Sequence, residues 1–196
     1  MAKNLVQETL VLLKPDTVKR GLVGEIITRF ERAGLKIKAL KMIKFTRELA
    51  ERFYIDSEEW LLSVGKKAIE GMKKDGIDPK EKFGTDDPKE IGKKIRETLI
   101  EFITSGPVVA MVLEGVECVE VVRKMVGATD PSKAAPGTIR GDYTHMSITY
   151  ANDKVIAVRN VVHASDSLEN AKREIKIVFK EDEIYDYVRN IEDVIY

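Results

Sequence analysis

The sequence has a single cysteine, Cys118, so no intrachain disulfide and no cysteine metal cage can form. One free thiol fits a reducing compartment. Neither sign of charge is in excess: 33 Lys and Arg balance 33 Asp and Glu. A general nucleic-acid binder carries a basic excess, so no dedicated nucleic-acid surface is expected. No apolar run approaches the ~18 residues of a membrane span, and Met1–Glu8 has no signal-peptide apolar region. The expectation is a soluble cytoplasmic protein with no membrane partner. The chain also lacks a Walker-type phosphate loop, a Gly-x-Gly-x-x-Gly turn, a nucleophile elbow and a His-Glu-x-x-His helix. Histidine is scarce: His145 and His163 are the only two.

What is present suits one compact domain over residues 1–196. The chain is 43% hydrophobic, enough for a core, and its length falls within the ~100–200 residues of a typical domain. Leu10–Leu13 is a short apolar run stopped at Lys14-Pro15, which predicts a buried strand. Ile26, Ile27, Phe30 and Ala33 share one helical face, and Gly34 ends that helix. Residues 35–39 alternate apolar and basic as a half-buried strand, with a register shift and bulge expected at 40–42. Thr46 is a candidate cap for a helix running to about Tyr54, with Glu48 in its first turn. Residues 56–95 are rich in Gly, Pro, Lys and acids and predict short surface helices joined by turns. Core periodicity returns from Ile95 to Ile103, and Val108–Leu113 reads as a central strand. A helix over Val119–Val126 closes at Gly127, and residues 128–154 read as loop. Residues 155–158 and 160–162 read as extended chain. A final helix carries Leu168, Ala171, Ile175 and Val178, with Asp166 as N-cap and Glu169 completing a capping box. This order predicts an α+β sandwich, the ferredoxin-like βαββαβ plan with a four-stranded antiparallel sheet covered by helices.

His163 lies at a strand end just before a helix, where a side chain is held firmly yet exposed. A lone histidine there is structural or functional on these grounds alone. Lys14, Arg123 and Arg140 sit at element ends or in loops, and their ammonium and guanidinium groups suit phosphate oxygens. Spacing does not show that they converge, and solvated surface charge accounts for each singly.

Five blocks in a fixed order resolve the matter. They are Lys14-Pro15-Asp16 with Arg20–Ile27, then Ser105–Val112, Val126–Pro131, Ala135–Asp142, and Asn160–Ser167. With these the sequence resembles the nucleoside diphosphate kinases over nearly its whole length. The resemblance implies transfer of the γ-phosphoryl of a nucleoside triphosphate to a nucleoside diphosphate through a phosphohistidine on His163, with ping-pong kinetics. It implies that Glu174 fixes the His163 tautomer and that Ser165 supports that pair. Lys14 would contact the transferred phosphoryl and the ribose, and Tyr54 would hydrogen-bond near His163. Arg123 and Thr129 would hold the β-phosphate, Arg140 the outer phosphate, and Asn160 the sugar hydroxyls. Mg2+ would bridge phosphate oxygens, ligated by nucleotide and water rather than by a protein cage. A homo-oligomer, most often a hexamer, is implied as well.

Three departures stand out. Ala164 occupies a position that is glycine in many members. Residues 56–95 interrupt the place where a Pro-Phe-Phe stretch supplies a ring for the base. Residues 143–154 lengthen the path from Arg140 to His163. Trp60 is the candidate replacement ring, on a lid formed by 56–95, or else it anchors that segment to the core. Ile95 aligns with the missing ring when counted back from Ser105.

Overall fold

The computed structural model describes residues 5–190 and 192–195; Met1–Asn4 of the N-terminal stretch read above lie outside them. The elements in chain order are β1 (Val6–Leu13), α1 (Pro15–Lys19), α2 (Val23–Arg32), β2 (Lys36–Lys44), α3 (Arg47–Phe53), α4 (Glu58–Lys74), α5 (Pro79–Phe83) and α6 (Pro88–Thr104). They continue as β3 (Pro107–Val116), α7 (Cys118–Val126), α8 (Ile139–Tyr143), α9 (Ile148–Asp153), β4 (Val162–Ala164), α10 (Leu168–Val178) and α11 (Glu192–Ile195). The four strands form one sheet in the order β2-β3-β1-β4, and every neighbouring pair is antiparallel. This is the ferredoxin-like α+β plan expected from the sequence.

Period-two alternation divides the core between the two faces of the sheet. Leu10, Leu12, Ala110 and Val112 face a cluster with Ala50 and Phe53 of α3, Ile100 and Ile103 of α6, and Ile175 and Val178 of α10. Val11, Leu13, Met111 and Leu113 face Ile26 and Phe30 of α2 and Val122 and Val126 of α7. β1 and β3 are central and read as unbroken apolar runs because both of their faces are covered.

Several local expectations change. Ala33 is exposed, beyond the last buried turn of α2. The irregularity in β2 falls between Ile37 and Ala39, not at 40–42. Lys36 is buried although its position in the alternation suggested solvent, because Glu114 and Glu192 reach its ammonium at 3.4 and 3.1 Å. Residues 56–95 are not short surface helices. α4 and α6 are 17 residues each, and they pack where Gly65 meets Pro88 and Gly92 meets Leu61. Ala68, Met72, Phe83 and Ile91 form a small core of their own there, with Ile95 and Val155 against it. Gly65 and Gly92, read as turn signals, are contact points that allow two helix backbones to approach, whereas Gly76 and Gly84 do sit at turns, with φ +72° and +69°.

Residues 128–154 hold two short helices and a 3-10 turn rather than open loop. α9 packs on α4, and Lys82 pairs with Asp153 at 2.6 Å, so the two extra segments join each other. Residues 155–158 are not strand; β4 begins only at Val162. The cap of α10 is Ser167, whose hydroxyl accepts from Asn170 N–H, while Asp166 binds the Asn170 side chain.

Candidate active site

His163 is the middle residue of β4 and lies opposite Leu12 of β1. Partners across an antiparallel pair share a face, so its ring turns toward α10 and α3. Glu174 projects from the second turn of α10, is 5% exposed, and places Oε2 at 2.8 Å from His163 Nε2. Ser165, fully buried, donates its hydroxyl to the same oxygen at 2.7 Å. A carboxylate oxygen only accepts, so Nε2 carries the proton. With that proton on Nε2, the nitrogen open to an incoming group is Nδ1. Phe53 meets the imidazole edge-on, with centroids 5.0 Å apart, and limits its rotation. His163 itself remains part-exposed.

A second group is tied together around Asn160. The Lys14 ammonium donates to Asn160 Oδ1, and the Asn160 amide donates to the Thr129 carbonyl at 2.8 Å. Arg140, at the start of α8, spreads its guanidinium over the carbonyls of Gly127 at 2.9 Å, Val162 at 2.7 Å and Asn160 at 3.3 Å. Gly127 closes α7 with φ +85°, and a Cβ there would lie 2.5 Å from Thr138 Oγ1, so the position requires glycine. Arg140 thus holds together the end of α7 and the strand carrying His163.

The charge pattern follows from burial. Lys14 is 5% exposed, and desolvation followed by the neighbouring Arg140 lowers its ammonium to about 7; Asp16 partly opposes this. Arg140 is lowered to about 10, by burial first and then by Arg123, and stays charged at neutral pH. Adjacent buried cations with depressed pKa values form a site short of an anion. Arg123, in the last turn of α7, is exposed beside Arg140, and Thr129 is exposed a short way beyond.

Tyr54 caps the end of α3, packs edge-to-face on Phe53 at 5.4 Å, and has its hydroxyl pKa raised by burial and then by Glu174. No hydrogen bond joins it to His163 among the described residues. Trp60 lies half-buried in the first turn of α4, and no hydrogen bond or ring contact among the described residues links it to this group. His145 sits between α8 and α9, away from β4 in the chain.

Sequence reasoning assigned no role to Asp16, Thr17, Phe53 or Arg173. Asp16 lay within a quoted block and Phe53 beside Tyr54, but neither position announces its contacts. Arg173 donates to the Arg52 and Phe53 carbonyls and reaches Glu174 Oε1 at 3.4 Å, tying α10 to α3. Among the described residues no three His, Cys, Asp or Glu side chains cluster as a metal cage. The two carboxylates near the cleft, Glu174 and Asp16, are each engaged by a hydrogen-bond donor and the other groups are cationic or neutral, so the residues fit a divalent cation only as one carried on phosphate oxygens.

A carboxylate-backed histidine on a ferredoxin-like sheet, beside a buried Lys–Arg–Asn set, is an arrangement of the class suited to phosphoryl transfer. The family model for nucleoside diphosphate kinase matches residues 7–63 and 87–184. A nucleoside diphosphate kinase from Pyrobaculum aerophilum is 56% identical over 91% of this chain and 98% of its own length. One from Pyrococcus furiosus is 47% identical over 95% of this chain and 91% of its own. The crystal structure of an NDP kinase from Pyrobaculum aerophilum matches with a TM-score of 0.90 at 54% identity, covering 92% of this chain and 100% of that one. A Borrelia burgdorferi nucleoside-diphosphate kinase, a transition-state mimic with vanadate and ADP, matches with a TM-score of 0.79 at 40% identity, covering 98% of each chain. The chain belongs to the nucleoside diphosphate kinase family and is an enzyme of phosphoryl transfer between nucleotides.

Proposed function

We propose that His163 carries the phosphoryl group between the two nucleotides. Nδ1 attacks the γ-phosphorus of a nucleoside triphosphate, the Nδ1–P bond forms, and the bond to the β-phosphate oxygen breaks. The diphosphate leaves, a second diphosphate enters, and its terminal oxygen takes the group back. Glu174 and Ser165 hold the reactive tautomer throughout. The observation that carries this reading is the Nε2 bond to Glu174 at 2.8 Å, which leaves Nδ1 as the nucleophile.

Phosphoryl transfer needs positioning and charge neutralisation more than covalent help. Lys14 and Arg140 are assigned to the transferring group, Arg123 and Thr129 to the β-phosphate, Asn160 with Lys14 to the ribose hydroxyls, and Tyr54 to the approach of the γ-phosphate. Magnesium, arriving on the nucleotide, supplies further neutralisation of the phosphate oxygens. Trp60 is assigned to base stacking; its half-exposed ring on the segment following Tyr54 supports this. Ile95 is spent on the small core between α4 and α6. The chain is proposed to act as one domain, with the extra segment lying at 56–95, and to assemble as a homo-oligomer, with a hexamer expected from light scattering. Its place in the cell is proposed as the cytoplasm; among the described residues no helix is long and apolar enough to cross a membrane.

Labelling with γ-phosphate-labelled ATP tests the mechanism. His163→Ala abolishes labelling, His145→Ala keeps it, and added nucleoside diphosphate discharges the label as a triphosphate. Turnover retained in His163→Ala overturns the assignment. For Trp60, saturable quenching by diphosphate and a raised KM in Trp60→Ala are expected. Emission indifferent to nucleotide leaves Trp60 as an anchor of α4.

A further inference from the structure

The turn entering β4 has a backbone conformation that its own sequence disfavours. Val161 has φ +57°, in the left-handed region that a β-branched residue avoids. Val162 N–H donates to the Asn160 carbonyl at 2.6 Å, which closes a three-residue γ-turn of the rarer, strained hand. Asn160 and His163 leave this turn on either side. Its shape therefore sets how far the Asn160 amide and its Lys14 partner stand from the imidazole.

The turn is gripped from outside by one four-residue segment. Asp16 Oδ2 accepts from Val161 N–H at 3.1 Å. The Val161 carbonyl accepts from Lys14 N–H at 2.8 Å and from the Thr17 hydroxyl at 2.6 Å. Both polar groups of the strained residue are thus held by Lys14–Thr17, the stretch that also delivers the Lys14 ammonium. Asp16 is 8% exposed and Thr17 fully buried. The other Asp16 oxygen, Oδ1, is buried with no partner among the described residues. A buried carboxylate with one oxygen unmatched is an expensive way to stabilise a fold. Strain of this kind persists where the surroundings over-determine it, and it gathers at functional sites.

We propose that Asp16 and Thr17 are positioning residues, which clamp the γ-turn at Val161 and so fix the spacing of Lys14 and His163 for phosphoryl transfer. The clamp rests on the reading of His163 as the phosphoryl carrier. It acts through the backbone and touches no substrate. Its effect falls on the rate of transfer, because a small misplacement of reacting groups costs rate before it costs binding.

The test measures single-turnover labelling of His163 by γ-phosphate-labelled ATP and, separately, ADP affinity by calorimetry. Asp16→Ala slows labelling by ~10- to 100-fold, with a much smaller change in ADP affinity. Asp16→Asn, whose amide oxygen can still accept from Val161 N–H, recovers most of the rate; a merely structural role would give no such split or rescue. Labelling in Asp16→Ala as fast as in the parent protein overturns the clamp, as does an Asp16→Asn variant as slow as Asp16→Ala. Should Asp16→Ala fail to fold, Thr17→Val removes only the hydroxyl donor at nearly constant volume. Slower labelling at unchanged ADP affinity in that variant supports the clamp, and an unchanged rate overturns it. A parent protein that is never labelled on His163 overturns the carrier assignment and the clamp's role with it; a labelled parent with unaffected variants overturns the clamp alone.

Discussion

Lys14 is a buried amine beside a buried guanidinium, and its ammonium is lowered to about 7, by burial first and then by Arg140. Bound phosphate oxygens favour the charged form and raise that value again. Nucleotide binding above pH ~7 is therefore expected to take up a proton. Calorimetry of ADP binding at pH 8 in buffers of different ionisation enthalpy measures this uptake, which should vanish in Lys14→Met. The same shift sets a sign for stability. The folded amine sits below its ordinary value of 10.5, so between about 7 and 10.5 the unfolded chain binds more protons. Burial of Lys14 thus weighs against folding at low pH, and that penalty is relieved as pH rises through this window. Arg140 is different, since its three nitrogens are already engaged by backbone carbonyls. Arg140→Ala is expected to lower turnover by ~10²–10³-fold, the scale of losing a preorganised donor. Arg140→Lys should rescue little, because one ammonium cannot span the three carbonyls. Turnover near the parent level in Arg140→Lys would remove the fork geometry from the account.

The α4–α6 pair shows why elements were less legible than residues. Gly65 and Gly92 interrupt otherwise polar, lysine-rich segments, and a glycine in such a setting reads as a break. Their meaning depends on a partner far along the chain: a Cβ on Gly65 would lie 1.8 Å from the Pro88 carbonyl oxygen, and one on Gly92 would lie 2.2 Å from that of Leu61. Local pattern cannot report such a contact. The same holds for α8 and α9, which are too short for a periodic signal, and for β4, whose pairing with β1 covers only three residues. The apolar runs of β1 and β3 were legible because burial on both faces leaves no polar alternation to confuse. The site followed a similar division. His163, Lys14 and Arg140 were readable from motif blocks, whereas the Arg173 and Phe53 contacts exist only once α10 docks on α3. Gly92→Ala is expected to destabilise the protein by ~1–3 kcal/mol through overpacking, although alanine is the better helix former. Urea unfolding measures the change; a neutral or stabilising result would mean that the helices part without cost. Labelling of His163 should persist in this variant, since the contact between α4 and α6 lies apart from the Glu174–Ser165–His163 group.

At the scale of the molecule the sheet has two edges, β2 and β4, and residues after α10 return to cover part of the β2 edge. Tyr185 N–H donates to the Lys38 carbonyl at 2.8 Å, the Tyr187 hydroxyl to that of Ile37 at 2.8 Å, and Arg189 to those of Leu35 and Gly34 at 3.1 and 2.7 Å. An edge strand with unsatisfied backbone groups invites pairing with another chain, and a strap of this kind blunts it. Charge fastens the strap: Lys41 meets Glu183 at 2.6 Å, Lys36 meets Glu192 at 3.1 Å, and Lys38 meets Asp186 at 3.3 Å. On the central strand, Glu114 faces both Lys36 and Lys38, at 3.4 and 3.3 Å. Its removal leaves two lysines competing for the remaining carboxylates in a partly desolvated place. Glu114→Gln is accordingly expected to cost ~1–3 kcal/mol in urea unfolding, the scale of a buried polar group left short of its partner. The strap also sets an acid limit. Hydrogen bonds from Lys41 and then from Lys180 N–H lower the Glu183 carboxyl below its ordinary 4.5, and bonds from Arg189 N–H and then from Lys36 do the same for Glu192. Groups lowered in this way stabilise the fold above ~4.5 and release it as pH falls through the lowered values. Hydrogen exchange of the strap's own donors, the Glu183, Ile184 and Tyr185 amides, should therefore quicken below pH 4.5 before the β1–β3 amides respond. If both sets quicken together, the strap is not an independent unit and its carboxylates report only the global transition.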